Sequence, residues 1–172
     1  MINSKIISYA ICAHEQAGKR YDGKPYGVHL ALAVAYGVEY LSLVPGPWQN
    51  TVIDSLWLHD VREDCGKTYA DILVIAGRHV ADIVNAVSHN ETIPADSRAY
   101  YNAIRLTPYA PFVKLCDRLA NVSYSVENHS KQMWRRYREE NARFVEHVFN
   151  GDVTRNIYAP MIQELNSLLQ LD

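Results

Sequence analysis

Apolar residues along this chain recur mostly at helical spacing. Near the start, positions on one face follow three- and four-residue steps: Ile6, Ile7, Ala10, Ile11 and His14. This is the period of a helix with one buried face, and we expect the helix to end near Gly18. No segment alternates apolar and polar residues over a strand's length. The chain is therefore predicted to be all-α.

A polar segment separates this helix from a second one. Residues 18–26 combine glycine, cations and proline, a composition typical of an exposed loop. The apolar run from Val28 to Tyr36 is too long for a typical strand. We interpret it as a buried helix that begins at His29.

A third helix is predicted to follow the break at Pro45-Gly46-Pro47. Asn50 or Thr51 can cap its start, and Gly66 can end it. We expect this helix to continue without interruption through residues 59–64. On such a helix, side chains four residues apart share a face.

The remaining boundaries follow from the same rules. Thr68 begins a helix with a capping arrangement, and Gly77 separates it from the next one. The polar stretch Ser88 to Ser97 is predicted to be a loop, and Pro108 can occupy the first turn of the helix after it. Residues 133–149 and Ile157 to Leu171 complete the helices. We expect one bundle-like domain over residues 1–172, because this length suits a single core.

Composition and charge exclude several classes of protein. The balance of 48% apolar and 21% charged residues argues against disorder. A net charge of -2 gives no broad basic field, so nucleic acid is not expected as an obligatory partner. We find no signal peptide and no apolar run long enough to span a membrane, so we expect a cytoplasmic protein without a membrane partner. The three cysteines lack Cys-x-x-Cys spacing and are interpreted as reduced, mostly buried thiols.

Candidate chemistry concentrates in residues 59–64. His59 and Asp60 are followed by Glu63 and Asp64, and helical spacing would stack His59 on Glu63 and Asp60 on Asp64. His29 and Asp117 could join His59 and Asp60 around one metal ion. Two imidazoles and two carboxylates form a mixed nitrogen and oxygen set, which suits manganese or iron and is less diagnostic of zinc.

The order His, His-Asp, Asp resembles that of the HD-domain metal-dependent phosphohydrolases. The finer match is to the hydrolase domain of the RelA/SpoT alarmone family, including its small stand-alone hydrolases. The matching motifs are Ala13-His14, Lys19-Arg20, Gly23-Lys24-Pro25-Tyr26, His29, Leu58-His59-Asp60-Val61-Arg62-Glu63-Asp64 and Val113-Lys114-Leu115-Cys116-Asp117-Arg118-Leu119-Ala120-Asn121. They cover about residues 10–125, and C-terminal helices occupy residues 130–171.

This resemblance implies an HD-domain helical bundle and a metal-dependent (p)ppGpp 3′-pyrophosphohydrolase of the stringent response. The enzyme would release GDP and pyrophosphate and use Mn²⁺, with Fe²⁺, Mg²⁺ or Zn²⁺ as other candidates. It also implies roles for particular residues. The metal ligands would be His29, His59, Asp60 and Asp117; the catalytic groups that activate water would be Glu63 and Asp64; and the substrate contacts would be Lys19, Arg20, Lys24 and Asn121.

Other polar residues lie outside these motifs or beside them. His14 either orients a ligand or is a buried histidine bonded to backbone. His79, His89, His129 and His147 have no matched partner and are expected to be surface or structural residues. Of Lys114 and Arg118, at most one is expected to reach the site, because successive helical residues point about 100° apart. The helix after residue 130 is expected to cap the fold without a substrate role.

Two alternatives to the main hypothesis remain open at this point. The chain could be an HD-type phosphohydrolase of other nucleotides, deoxynucleotides or a dinucleotide phosphate, because the metal site specifies phosphoryl chemistry and not the base. It could also bind a nucleotide or a protein without turnover, although six intact site residues argue against that. The sequence leaves the oligomeric state open, and a homo-oligomer is compatible with it.

Overall fold

The computed structural model of the chain describes residues 3–90 and 92–170. These residues are mostly helical, which confirms the all-α class. The elements are α1 (Ser4–Gln16), β1 (Arg20–Tyr21), β2 (Lys24–Pro25), α2 (Gly27–Glu39), a 3₁₀ turn (Leu41–Leu43), α3 (Gly46–Leu58), α4 (Val61–Cys65), α5 (Tyr69–Ala76), α6 (Arg78–Val87), α7 (Arg98–Leu106), α8 (Ala110–Glu127), α9 (Lys131–Val148), α10 (Asp152–Ile157) and α11 (Ala159–Leu168).

Helix α8 lies at the centre of the fold, in contact with α2, α3, α6, α7, α9 and α11. Its apolar residues are buried on every side of the helix: Phe112, Val113, Leu115, Cys116, Leu119, Ala120 and Val122. A helix that is apolar all round is expected in the interior of a protein. Asp117 and Arg118, which are also buried here, therefore face a polar site inside the bundle.

Two clusters of buried side chains pack on either side of the candidate site. The larger cluster surrounds α8 and includes Ala33 and Leu56, whereas the smaller cluster lies between α1, α5 and α6 and includes Leu30 and Leu58. Helices α2 and α3 contribute to both clusters. Helices α2 and α3 approach closely at Gly37, where a Cβ atom would overlap the side chain of Leu56. A larger residue at this position would therefore push the two helices apart.

The structure changes the predicted third helix in two ways. The helix begins at Gly46, directly after Pro45, and not at Asn50 or Thr51. It ends at Leu58, and a separate five-residue helix, α4, follows Asp60. The predicted continuous helix through residues 59–64 is therefore wrong, and so is the stacking of His59, which precedes the break, on Glu63. Asp60 and Asp64 keep the predicted helical relation, because the backbone nitrogen of Asp64 donates to the carbonyl of Asp60 at 2.9 Å. Gly66 ends α4 in the left-handed conformation, as predicted.

The segment between α1 and α2 is not an irregular loop. Residues 20–25 form a small antiparallel hairpin in which Arg20 pairs with Pro25 and Tyr21 with Lys24. The strands hold two residues each, which is too short to produce a readable alternation. The hairpin matters because it packs Tyr21 against His29, with the two ring centroids 4.8 Å apart.

Helix boundaries in the second half agree only in part with the predictions. Thr68 and Asp71 form the expected capping box of α5. Helix α7 was missed, because it follows the polar loop so closely. Pro108 precedes α8, whose first turn holds Pro111 instead. The predicted helix from Ile157 corresponds to α11, which begins at Ala159, and the short helix α10 before it was not predicted. The predicted end of that helix at Leu171 lies outside the described residues, as does Glu91 of the loop after α6.

Two further findings concern the chain as a whole. Among the described helices, none combines the length and the apolar character that crossing a bilayer demands. The three cysteines are unpaired, and they range from exposed at Cys12 to buried at Cys116.

Candidate metal centre and its cavity

Four side chains meet at the closed end of one cavity. His29 lies in the first turn of α2, His59 and Asp60 in the break between α3 and α4, and Asp117 in α8. Nε2 of His29 lies 3.0 Å from Nε2 of His59, 3.2 Å from Oδ2 of Asp60 and 3.3 Å from Oδ1 of Asp117. Nε2 of His59 lies 3.1 Å and 3.5 Å from the same two oxygens. The break in the helix, not helical spacing, brings Asp60 beside His59.

These distances fit a shared metal ion. Ligand atoms of His29, His59 and Asp117 all lie within 4.8 Å of one another. Two donors bound at about 2.1 Å to one ion are separated by roughly 3.0–3.4 Å, which is the spacing found between these atoms. Nδ1 of His59 contacts the carbonyl of Leu56 at 2.7 Å, so a neutral ring that donates there presents its Nε2 lone pair to the cluster. The residues present therefore fit a divalent metal.

Electrostatics in the cluster favour positive charge. Burial by itself would lower the pKa of His59, but the carboxylates of Asp60 and Asp117 outweigh burial and raise it well above its usual range. The pKa of His29 is raised for the same reason. Burial would raise the pKa of Asp117, but Lys114 and the two histidines lower it well below its usual range. A site that stabilises protons this strongly also suits a cation.

A chain of hydrogen bonds orients Asp117 from the side. The amide nitrogen of Asn121 donates to Oδ1 of Asp117 at 2.7 Å, and the hydroxyl of Tyr21 donates to the amide oxygen of Asn121 at 3.0 Å. Lys114 donates to the other carboxylate oxygen at 2.8 Å. Asn121 was expected to contact either a nucleotide sugar or a ligand carboxylate, and the structure gives it the carboxylate contact.

A second chain of contacts supports Asp60. The hydroxyl of Tyr26 donates to Oδ2 of Asp60 at 2.7 Å, and the Tyr26 ring stacks on His14 with centroids 4.2 Å apart. Nδ1 of His14 contacts the carbonyl of Ala10 at 2.8 Å. Burial lowers the pKa of His14, so this ring favours the neutral form. Both sequence interpretations of His14 hold in part, because it bonds to backbone and supports a residue that orients Asp60.

The cluster opens into a cavity of about 260 Å³. Its polar lining includes His29, Asp60, Glu63, His89, Lys114, Asp117, Arg118, Asn121, Arg136 and Glu140, and its aromatic lining Tyr26, Tyr100, Tyr101, Tyr137 and Phe144. Lys114 and Arg118 both line it, so the expectation that at most one would reach the site is wrong. The wall formed by α9 shows that this helix does more than cap the fold. No periodic signal in the sequence could reveal that α9 faces the site.

Glu63 and Asp64 point to different surroundings. Oε1 of Glu63 accepts a hydrogen bond from the backbone nitrogen of His89 at 2.8 Å and lies 2.5 Å from Nδ1 of the same residue. Asp64 lies 2.9 Å from Nζ of Lys19 and is not part of the cavity lining. The contact between His89 and Glu63 was not predicted, because the two residues are 26 positions apart and no motif joins them.

The three cations expected to hold substrate phosphate lie outside this cavity lining. Lys19 pairs with Asp64, which raises the pKa of Lys19. Lys24 donates to the hydroxyl of Tyr124, and Arg20 is exposed. Their contact with a substrate stays a prediction.

Comparisons with known proteins agree with the resemblance inferred from the motifs. No protein-family model matches the chain. A curated relative, the guanosine-3′,5′-bis(diphosphate) 3′-pyrophosphohydrolase of Aquifex aeolicus (strain VF5), is 33% identical over 153 residues, or 86% of this chain. The chain spans only 19% of that relative's length.

A solved structure has the same fold. It is that of a metazoan ortholog of SpoT, described as hydrolysing ppGpp and playing a role in starvation responses. The TM-score is 0.69, and the match covers 99% of this chain and 96% of the other at 18% identity. At this identity, the likeness establishes the fold alone.

Proposed function

From the premise that this chain is an HD domain of the RelA/SpoT type, we propose that it is a metal-dependent pyrophosphohydrolase that removes the 3′-pyrophosphate from guanosine tetra- or pentaphosphate. The curated relative carries this activity in its name. The observation that carries the proposal is the convergence of His29, His59, Asp60 and Asp117 at the end of a cavity whose walls hold three cationic side chains.

The metal would be held by the two imidazoles and two carboxylates. We propose Mn²⁺, because manganese suits a mixed set of nitrogen and oxygen ligands. Zinc, in contrast, is typically bound by sulfur-rich or closed tetrahedral sets. When bound, such an ion supplies a water of lowered pKa and neutralises charge on phosphoryl oxygens. Asn121, Tyr26 and Lys114 would keep the carboxylates oriented before substrate arrives.

Glu63 is the better placed of the two candidate catalytic carboxylates, because it lines the cavity beside Asp60 and Asp117. It would accept a proton from the attacking water as general base. Attack on the phosphorus attached to the 3′ oxygen forms a bond from that phosphorus to the water oxygen and breaks its bond to the 3′ oxygen. The 3′ oxygen is the leaving group and takes up a proton to become a hydroxyl, and the pyrophosphate keeps the oxygen of the water. Asp64 would not contact the attacking water; it would hold Lys19, with which it forms an ion pair, near the edge of the site.

The cationic wall suits a substrate with several phosphates. Lys114, Arg118 and Arg136 line the same cavity as the acidic cluster, and Lys114 also donates to Asp117. Arg118 is buried against the rings of Tyr137 and Phe144, at 4.9 Å and 4.5 Å from their centroids, and its Nε has no protein partner among the described residues. A phosphate oxygen could accept from such a guanidinium.

The test is a panel of nucleotides incubated with purified protein and MnCl₂. We expect ppGpp to yield GDP and pyrophosphate in equal amounts, resolved by ion-exchange chromatography. Asp60→Ala and Glu63→Ala should abolish this turnover, whereas His79→Ala should keep it, because His79 is an exposed histidine outside the cavity lining.

Other outcomes of the panel would assign a different function. Consumption of a deoxynucleotide, a nucleoside triphosphate or a dinucleotide phosphate while ppGpp survives would replace the proposal with another HD-type phosphohydrolase. Binding of a nucleotide without any product would leave a non-catalytic domain.

A further inference from the structure

The helix that carries Glu63 gives it little local support. Helix α4 has five residues, Val61–Cys65, and a glutamate side chain has three rotatable bonds. Holding such a side chain in one conformation costs up to about 2 kcal/mol of rotamer entropy. A general base must nevertheless lie within hydrogen-bond reach of its water. Some other part of the fold has to select the conformation of Glu63.

His89 makes two contacts with the Glu63 carboxylate, and both reach the same oxygen. The backbone N–H of His89 donates to Oε1 at 2.8 Å, and Nδ1 of the His89 ring lies 2.5 Å from that atom in a charge contact without hydrogen-bond geometry. No described residue donates a hydrogen bond to Oε2. The side chain of Glu63 is 20% exposed and that of His89 is 40% exposed, and both line the cavity.

The segment that carries His89 is itself fixed. Helix α6 ends at Val87, whose carbonyl accepts a hydrogen bond from the hydroxyl of Tyr100 at 2.6 Å. The ring of Tyr100 also lies beside the ring of His89, with centroids 5.9 Å apart. On the other side, Asn90 closes a turn by accepting from the backbone of Ile93 at 2.9 Å. His89 therefore stands between two anchored residues.

Helix α4 is tied to α6 by an independent contact. Arg62, the neighbour of Glu63, donates to the side chain of Asn85. The two elements that bring Glu63 and His89 together are thus joined at a second point, and the carboxylate does not depend on the His89 contact to be near α6. The contact with His89 decides which way the carboxylate faces.

We propose that His89 is a positioning residue for Glu63: it holds Oε1 and thereby leaves Oε2 available at the cavity as the proton acceptor. This inference rests on the function proposed above. His89 has no partner that sequence motifs predict. Because a positioned general base contributes mainly to the chemical step, loss of the contact lowers kcat and leaves KM nearly unchanged.

The experiment compares substitutions that separate the two contacts. His89→Ala keeps the backbone N–H and removes the ring. His89→Asn places an amide nitrogen near the position of Nδ1, whereas His89→Gln places one near Nε2. We expect His89→Ala to lower kcat roughly fivefold, the upper range for a partly exposed ion pair. His89→Asn should restore most of the rate, and His89→Gln should not.

A double-variant comparison tests whether His89 acts through Glu63. In a Glu63→Gln background, His89→Ala should cause no further loss of kcat, because the positioned group is already absent. The matched control is His79→Ala, which removes an exposed histidine of α6 that does not line the cavity. The folded state of each variant is checked by thermal unfolding, and if His89→Ala unfolds, the Asn and Gln pair decides the question.

The inference is overturned if His89→Ala matches the parent protein, if it raises KM with kcat unchanged, or if its effect multiplies with that of Glu63→Gln. The failure of the proposed function looks different, because the parent protein itself would then leave ppGpp intact. In that case the contact is still tested by NMR. The ring nitrogen resonances of His89 should move in Glu63→Gln and stay in Asp64→Asn, and the reverse result overturns the pairing.

Discussion

The closed end and the open end of the cavity are built in different ways. At the closed end, His29 and His59 are 2% exposed and Asp117 is 6% exposed, and tyrosine, asparagine and lysine side chains orient the two carboxylates. At the open end, the Arg136 side chain is 62% exposed and pairs with Glu140 at 2.8 Å. Burial makes the closed end intolerant of change, whereas solvent and salt can tune the open end.

The largest effect should come from removing a closed-end histidine. We expect His59→Ala to lose bound metal and to lower kcat/KM by more than about 100-fold. Removing a residue that only supports a metal ligand costs up to about 100-fold, and removing the ligand itself should cost more. Metal content is measured by mass spectrometry after dialysis, and activity by pyrophosphate release. Full metal content in His59→Ala would remove the distinction between the two ends.

The next largest effect should be the difference in kcat between variants of the neighbouring carboxylates Glu63 and Asp64. Glu63→Gln should lower kcat by about 100-fold or more, as expected for a general base. Asp64→Asn should cost less, because Asp64 contacts Lys19 and does not line the cavity. Steady-state kinetics on both variants check this order. A larger loss in Asp64→Asn would move the catalytic role to Asp64.

A smaller effect should follow from removing a hydrogen bond that supports the metal ligands at the closed end. Tyr21→Phe removes the hydroxyl that donates to Asn121, two contacts away from the metal-binding oxygen. We expect metal affinity to fall by about tenfold, the lower range for such supporting contacts. The control is Tyr124→Phe, which removes a hydroxyl that contacts Asp22 and Lys24 instead. Isothermal titration with Mn²⁺ measures both, and equal losses would argue against the Tyr21 chain.

The smallest effect should come from the open end. Arg136→Gln should raise KM for ppGpp roughly threefold, because an exposed charge contributes about 1 kcal/mol or less. The change should shrink as salt increases, since added salt screens exposed charges. Arg135→Gln is the matched control, because Arg135 is exposed outside the cavity lining. A fall in kcat without a change in KM would place Arg136 in the chemical step.

Much of the site could be predicted because its residues come in short motifs. His59 and Asp60 are adjacent, and Asp117 and Asn121 are one helical turn apart on α8, so local spacing preserves their relation. The predicted ligands His29, His59, Asp60 and Asp117 do meet in the fold. The local conformation was less accessible, because the helix breaks between His59 and Asp60 without a glycine or proline to mark the break.

The partners across the cavity could not be predicted. His89 reaches Glu63 from 26 residues away, and Tyr21 reaches Asn121 from 100 residues away. The cationic side chains Lys114, Arg118 and Arg136 come together only because α9 packs against α8. Buried residues such as Phe144 determine that packing. Periodicity shows which face of a helix is apolar, but it does not show which neighbour covers that face.

By itself, the sequence determined that the chain is helical and which side chains could bind a cation, because both properties depend on the spacing of residues a few positions apart. Only the tertiary structure decided which carboxylate faces the cavity, which histidine holds it and which helix closes the far wall. Those relations depend on the packing of two buried clusters against α2, α3 and α8. Side chains from distant positions acquire their distances only when that packing fixes the helices relative to one another.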